Sequence, residues 1–175
     1  MVALRIAATP ERVFEAFTRD INSWWRPNPM FRFTPADPGM LAIEPMVGGR
    51  FTETQPDGTE FEIGRVTHWE PGVRLGLTWR QASFVDDQST LVDVRFETIG
   101  AETRVTVEHL GWDSIPAPHA ARHGMVGIQF LKRHGEWWRD LLAALKAEAI
   151  KQMVTRPNIV ITVSCLCFVD PSGRS

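Results

Sequence analysis

Two histidines of this sequence fall at positions where an imidazole could do chemistry. His109 shares strand parity with the apolar Val105 and Val107, so its ring is predicted to point into the core. His134 lies on the apolar side of a predicted helix. An inward imidazole can hydrogen-bond a ligand carbonyl or act as an acid or base near neutral pH. A core histidine bonded to backbone or buried water is the simpler explanation of both positions.

The other titratable residues form no recognised catalytic or metal-binding motif. His119 and His123 are spaced i, i+4 and could meet on a helix turn, but no carboxylate ligand follows nearby, so no metal site is predicted. Glu53 shares parity with Phe51 and could be a buried carboxylate, whereas most other strand glutamates alternate with inward positions. No Gly-x-Ser-x-Gly motif, phosphate loop or dinucleotide fingerprint occurs, and neither a catalytic residue nor a cofactor is predicted.

The composition is that of a globular domain. Of the 175 residues, 43% are hydrophobic and 23% charged, and the formal net charge is −2. This balance gives no electrostatic reason to expect nucleic acid or an anionic membrane as a partner. No apolar run approaches the ~20 residues of a transmembrane helix, and the first residues do not resemble a signal peptide. Because Cys165 and Cys167 imply no disulfide framework, a cytoplasmic location is expected.

The element predicted to hold these residues in place is a long helix over 129–150. Its strong helix formers include no proline, and at about 1.5 Å per residue it would span roughly 30 Å. One face is predicted to pack on a sheet. The residues assigned to that face are Leu131, His134, Gly135, Trp138, Leu141, Leu142, Leu145 and Ala149.

The rest of the chain predicts the sheet. A short β-rich run over 2–8 precedes Thr9-Pro10-Glu11, a typical helix start. A second short helix carrying Trp24 and Trp25 and an irregular proline-rich loop to Gly39 follow. The next six segments are predicted strands because they alternate in polarity or lie between turn signals: 41–46, 50–55, 60–70, 74–81, 90–98 and 103–112. The fold class is therefore α+β: a curved antiparallel sheet of about seven strands around a long C-terminal helix.

The last residues differ in composition from the rest. One domain is predicted over 1–152 and a tail over 153–175, which contains an uncharged β-prone run over 159–169. That run is too short to cross a bilayer as a helix. It could add a strand to a sheet edge, dock on a neighbouring molecule, or be a non-native or weakly ordered extension.

The residues at the corners of this pattern resemble those of a known superfamily. They are Pro10-Glu-Arg-Val-Phe14, Gly48-Gly-Arg-Phe51, Asp57-Gly58, Gly64-Arg-Val66, Glu70-Pro71, Leu75 to Trp79, Thr103-Arg-Val-Thr-Val-Glu-His109, Gly111, Trp138, Leu142 and Leu145. From Val2 to Ile150 the chain resembles START-like (SRPBCC, birch-pollen-allergen-like) proteins with the helix-grip fold. Within them it is most similar to homologues of the activator of the ninety-kilodalton heat-shock protein (Hsp) ATPase. One departure is Trp137, where that family often has glycine, and this ring could narrow a cavity mouth or face a partner chain.

The resemblance implies a ligand cavity between the sheet and the long helix, of the order of 300–1,000 Å³. Parity and helical face assign its walls to Trp79, Val94, Phe96, Val107, His109, Leu131, His134 and Trp138. The same side chains could instead simply pack together as a core. The function predicted from the resemblance is binding of a small apolar or amphipathic molecule, without a predicted enzymatic activity.

Two other functions stay open at this point. One is a protein-interaction module that assists a chaperone, and the other is an enzyme of the polyketide cyclase or aromatase kind. A homodimer is also plausible, because several large apolar side chains exceed what one small surface usually leaves exposed. They are Trp25, Met30, Phe31, Phe33 and Trp137, and the alternative is that they cover the cavity mouth within one chain.

Overall fold

The computed structural model describes residues 1–28 and 31–155, with side chains described as far as residue 151. Its strands are β1 (Val2–Ile6), β2 (Met40–Ile43), β3 (Arg50–Thr54), β4 (Glu60–Glu70), β5 (Arg74–Trp79), β6 (Thr90–Ile99) and β7 (Glu102–Leu110). Its helices are α1 (Pro10–Thr18), α2 (Ile21–Trp24) and α3 (Gly127–Thr155), and two single-turn 3₁₀ helices lie at Trp112–Ser114 and Ala120–Arg122. The predictions made for Met30 and for the run over 159–169 lie outside the described residues.

All seven strands form one antiparallel sheet in the order β1-β7-β6-β5-β4-β3-β2. The sheet curls into a half-barrel, and α3 packs against it. The first strand joins the sheet beside the last, with Val2 opposite Val107. The predicted α+β helix-grip architecture and its element order are confirmed.

Local sequence explains the first helix and the tightest point of the sheet. The side chain of Thr9 accepts a hydrogen bond from the backbone N–H of Arg12 at 3.3 Å, and proline occupies the first helical turn. In β4, Gly64 lies so close to β5 that a Cβ atom there would be 1.9 Å from the carbonyl oxygen of Thr78. Only glycine allows this approach of the two strands.

The buried face of α3 is displaced from the predicted one at its start. The residues that α3 buries are Phe130, His134, Trp137, Trp138, Leu141, Leu142, Leu145 and Ala149. Leu131 is 53% exposed, so the prediction that it faces the sheet is wrong. Phe130 takes the inward position one turn before His134, and Leu131, the next residue, is rotated about 100° from it toward solvent.

None of the helices within 1–28 and 31–155 is both long and apolar enough to span a bilayer.

Candidate functional site

Aromatic rings fill the space between the sheet and α3. Trp79 and Trp138 lie with ring centroids 6.1 Å apart, and His109 is 5.2 Å from Trp79. Val94, Phe96 and Val107 are buried in the surrounding core. The void left there is about 10 Å³, close to the minimum for one water molecule. Trp79 and Trp138 line it, but the large open space predicted at this position is closed by packing in this structure.

A chain of hydrogen bonds crosses this interior. The indole N–H of Trp138 donates to Nδ1 of His109 at 3.3 Å. With its lone pair used at Nδ1, neutral His109 carries its proton on Nε2, which lies 2.8 Å from Oγ1 of Thr90. The Thr90 hydroxyl in turn donates to the carbonyl oxygen of Trp79 at 3.2 Å. Each group thus has one compatible role, and His109 is held as the Nε2–H tautomer.

The two interior histidines are neutral at pH 7. Burial lowers the pKa of His109 well below its usual 6.5, and the nearby His134, with ring centroids 4.7 Å apart, lowers it further. Burial, with a smaller effect of the Met1 amino group, lowers the pKa of His134 from 6.5 to about 3. Protonating His109 would also place a second proton against the Trp138 N–H. General acid or base catalysis by His109 near neutral pH is therefore disfavoured.

Some polar atoms of this interior have no hydrogen-bond partner among the described residues. They are Nε1 of Trp79, Trp112 and Trp137, and Nε2 of His134. Buried polar groups are normally satisfied, by protein or by water. The aromatic interior therefore retains unused hydrogen-bonding capacity.

A much larger cavity than this void lies outside the interior, in the region that the sequence predicts only as an irregular loop. It has a volume of about 250 Å³ and opens between α2, the loop before β2, and strands β2 and β3. We call it the outer cavity. Its walls are Asn22, Trp25, Pro27, Phe31, Arg32, Phe33, Thr34, Ala36, Pro38, Gly39, Met40, Leu41 and Glu53.

Trp25 separates the outer cavity from the aromatic interior. Its ring lines both the outer cavity and the 10 Å³ void. It stacks on Phe33, with centroids 5.6 Å apart, and contacts Trp79 at 5.8 Å and Trp137 at 5.6 Å. Trp25 is thus the side chain that the walls of the two spaces share.

The wall of the outer cavity contains a buried carboxylate. Glu53 is 3% exposed, as strand parity with Phe51 indicated. Its Oε2 accepts from the Thr34 hydroxyl and its Oε1 from the Gly39 backbone N–H, both at 3.1 Å. No lysine, arginine or histidine within the described chain forms an ion pair with it.

A side-chain clamp holds the cavity's inner edge. Asn22, just inside α2, donates from Nδ2 to the carbonyl oxygen of Leu41 at 2.8 Å and accepts at Oδ1 from the Leu41 N–H at 2.8 Å. Both backbone groups of Leu41 are thereby satisfied at the outer edge of β2, the last strand of the sheet. The clamp fixes α2, and with it Trp25, relative to β2.

Residues 7–149 match the family model described as activator of Hsp90 ATPase homolog 1-like protein. This range is most of the chain. The chain belongs to that family. No curated protein gives a significant match to this AHSA1-like domain.

Solved structures resemble the AHSA1-like domain at low sequence identity. Protein MLL2253 from Mesorhizobium loti is 19% identical with a TM-score of 0.57, covering 86% of this chain and 96% of its own. The Aha1 dimer from Colwellia psychrerythraea is 18% identical with a TM-score of 0.53, covering 86% and 98%. At such identities these two structures support the fold alone. The anthrahydroquino-gamma-pyrone synthase Txn09 is 32% identical over 83% of this chain and 84% of its own, with a TM-score of 0.45.

The aromatic side chains on which a homodimer was predicted are mostly buried within the one AHSA1-like chain. Phe31, Phe33 and Trp137 are each 4% exposed, and Trp25 is partly buried. Trp137 stacks on Phe31 with centroids 4.7 Å apart, so it closes the interior beside the outer cavity. The premise that these rings form an exposed apolar surface is wrong for Phe31, Phe33 and Trp137.

The i, i+4 histidines of the AHSA1-like domain do not converge. His119 accepts at Nδ1 from the Ala121 N–H at 3.1 Å and lies 3.1 Å from the carbonyl oxygen of Ser83 through Nε2. His123 packs instead on the ring of Phe31. Within the described ranges, no three or more His, Cys, Asp or Glu side chains group as metal ligands would.

Proposed function

We propose that the protein binds a small amphipathic molecule in the outer cavity. The observation that carries this proposal is the buried Glu53 carboxylate on an aromatic wall. Pockets for small molecules combine mostly apolar walls with few fixed polar groups. Here Trp25, Phe31 and Phe33 supply the apolar wall, and Glu53 supplies the fixed polar group.

Volume supports a ligand of modest size. An apolar cavity of about 150 Å³ accommodates benzene. The outer cavity, at about 250 Å³, is therefore suited to a molecule of about two fused rings. The aromatic interior would admit part of a larger ligand only if Trp25 moved, because that ring stands between the two spaces.

The hydrogen bonds of His109 weigh against the alternative of a cyclase-like enzyme that uses this histidine. Both ring nitrogens are occupied, one by Trp138 and one by Thr90. A proton-transfer group needs a nitrogen free to reach the substrate. Ligand binding in the outer cavity needs no such nitrogen, so it is better supported than catalysis by His109.

The experiment is a binding titration with a panel of substituted naphthalenes, followed by amide chemical shifts. Ala36 is an exposed residue of the cavity wall, so Ala36→Trp should fill the cavity without disturbing the core. Ala101→Trp, at the exposed turn between β6 and β7, is the matched control. We expect at least one probe to bind, Ala36→Trp to abolish binding and Ala101→Trp to leave it unchanged. If no probe binds, or if Ala36→Trp has no effect, the proposal fails.

Protein interaction is a second candidate, favoured by one surface. Just before α3, Val126 is 61% exposed, and in the first turns of α3 Ile128 is 78% and Leu131 53% exposed. Exposed apolar side chains close together are typical of surfaces that meet another protein. Sedimentation at two concentrations, for the wild type and for Ile128→Asp with Leu131→Asp, tests self-association through this surface. A mass that is independent of concentration in both proteins would end the homodimer hypothesis for it.

A further inference from the structure

The polar groups of the outer cavity differ in how far their hydrogen-bonding capacity is used. The Asn22 amide is committed to Leu41 through both of its ends. The Thr34 hydroxyl donates to Glu53 and lies 3.2 Å from the side-chain nitrogen of Gln55, which donates to it. Glu53 and Arg32, by contrast, keep capacity for a ligand. They are also the two charged side chains of the cavity wall.

Glu53 favours a hydrogen-bond donor. An ionised carboxylate offers about four lone-pair sites, and the two described bonds use one on each oxygen. Both donors are neutral, and the carboxylate is almost wholly buried. A hydroxyl or N–H group of a ligand would add a third bond to a charged acceptor where water has little access. Such bonds are stronger than those between neutral groups.

Arg32 favours an anion. It is an exposed residue of the cavity wall, and its guanidinium has no hydrogen bond or ion pair to any residue of the described segments. It also lines a shallower neighbouring cavity of about 220 Å³, so it stands where the two open spaces meet. The planar guanidinium fork matches a carboxylate with two parallel hydrogen bonds.

We propose that the ligand is an aromatic hydroxy acid. A flat body of about two rings lies against Trp25 and Phe33, a hydroxyl donates to Glu53, and a carboxylate lies at Arg32. This assignment rests on the proposed function and adds the chemical class of the ligand. It is complementary to each of the two charged groups on the cavity wall.

The test compares four probes of one ring size by calorimetry with the full chain at neutral pH. 6-Hydroxy-2-naphthoic acid carries both polar groups, 6-methoxy-2-naphthoic acid cannot donate, 2-naphthol lacks the acid, and 2-methoxynaphthalene lacks both. We expect the hydroxy acid to bind tightest. Replacing hydroxyl by methoxy should weaken binding about tenfold or more, because a bond to a buried charge is lost. Removing the carboxylate should weaken binding about two- to fivefold, and less at high salt, because Arg32 is exposed.

Variants assign each effect to its residue. In Glu53→Gln the difference in affinity between the hydroxy acid and the methoxy acid should largely disappear. In Arg32→Gln the difference between the acid and 2-naphthol should disappear. Arg139→Gln, an exposed arginine of α3, is the matched control and should keep both differences. If Glu53→Gln fails to fold, the ratio of the affinities of the wild type for the hydroxy acid and the methoxy acid still shows whether the ligand hydroxyl donates a hydrogen bond.

The outcomes separate this inference from the function on which it rests. If the methoxy acid binds the wild type as tightly as the hydroxy acid, and Ala36→Trp still blocks both, the hydroxy-acid assignment is overturned while the binding function stands. The assignment also falls if Arg32→Gln leaves the acid preference unchanged. If none of the four probes binds, both proposals fall together.

Discussion

The indole N–H of Trp138 lies 3.3 Å from Nδ1 of His109, and this contact joins α3 to β7 through the centre of the molecule. Since the indole can only donate, the histidine can only accept at that nitrogen. Its other nitrogen is then committed to Thr90, which lies 2.8 Å away. The orientation of the His109 ring is thus fixed by these two hydrogen bonds as well as by the packing of the surrounding rings.

The Thr90 hydroxyl is expected to stabilise the fold through this chain. Thr90 is fully buried, and Thr90→Val would leave the Nε2–H of His109 without an acceptor in nearly unchanged volume. We expect a loss of about 1–3 kcal/mol in the free energy of unfolding. Thr106→Val, at a partly exposed position of β7, should change it by less than about 0.5 kcal/mol. Urea unfolding of both variants checks this, and equal small effects would show that the chain contributes no stability.

Stability should fall as the pH is lowered below 6.5, in part through His134. Its pKa is lowered to about 3 in the folded state, so below pH 6.5 the unfolded state binds the proton first. Between pH 7 and pH 5 this one residue should cost about 2 kcal/mol of unfolding free energy. His134→Phe, which keeps the ring stacked near Phe130, should remove that part of the dependence. A variant with the wild-type slope would contradict the assignment.

Trp25→Ala should connect the outer cavity with the interior void. We expect the enlarged space to favour three-ring over two-ring probes, measured as the affinity ratio of anthracene-2-carboxylic acid to 2-naphthoic acid. Truncating this partly buried ring should cost about 3 kcal/mol. Trp69→Ala removes a ring that packs on Phe14 instead, and should destabilise without changing the ratio. An unchanged ratio in Trp25→Ala would mean that Trp25 does not limit the cavity.

Replacement by alanine should change the stability of the protein in opposite directions at two glycines. Gly135 lies within α3, and a Cβ atom there would meet nothing within 4 Å, so Gly135→Ala should stabilise by about 0.5–1 kcal/mol. Gly64→Ala would place a Cβ atom 1.9 Å from the Thr78 carbonyl oxygen and should destabilise by about 1–3 kcal/mol. Thermal and urea unfolding measure both. A tolerated Gly64→Ala would show that β4 and β5 can separate at little cost.

Removal of residues 156–175 should leave the domain folded. Among the side chains that the structure describes, which reach residue 151, the last fully buried one of α3 is Ala149, and the helix continues to Thr155. Solubility should improve, because the deleted residues include an uncharged β-prone run. Thermal unfolding of the full chain and of residues 1–155 tests this prediction. Loss of cooperative unfolding on truncation would show that the deleted residues are part of the folded domain.

The elements could be predicted from the sequence because local patterns define them. Strand alternation placed Val94, Phe96 and Val107 inside, whereas parity with Phe51 only left a buried Glu53 open, because Thr52 between them is buried too. The buried face at the start of α3 was less well determined, because Phe130 and Leu131 are both apolar and helical spacing relates both to the buried residues that follow.

The site could be predicted only in part. The direction of the His109 hydrogen bonds depends on the register of β6 against β7 and on the position of α3, which no local pattern contains. The outer cavity is formed largely by the loop before β2. This loop has no helical or strand periodicity from which the direction of a side chain could be predicted. The aromatic and proline residues of that loop signalled an irregular segment, but not which rings would turn inward and which would leave space.

The pairing of β1 with β7 has a consequence for synthesis on the ribosome. Val2 can find its partner Val107 only after that residue has emerged, roughly 5–20 s later at 5–20 residues per second. Until then β1 has no partner strand, and it must remain unpaired without adding to another sheet edge. Such distant pairing also slows refolding of the finished chain, because a long loop must close before contacts form. A nascent-chain assay should therefore find no native-like protease resistance before β7 has left the exit tunnel.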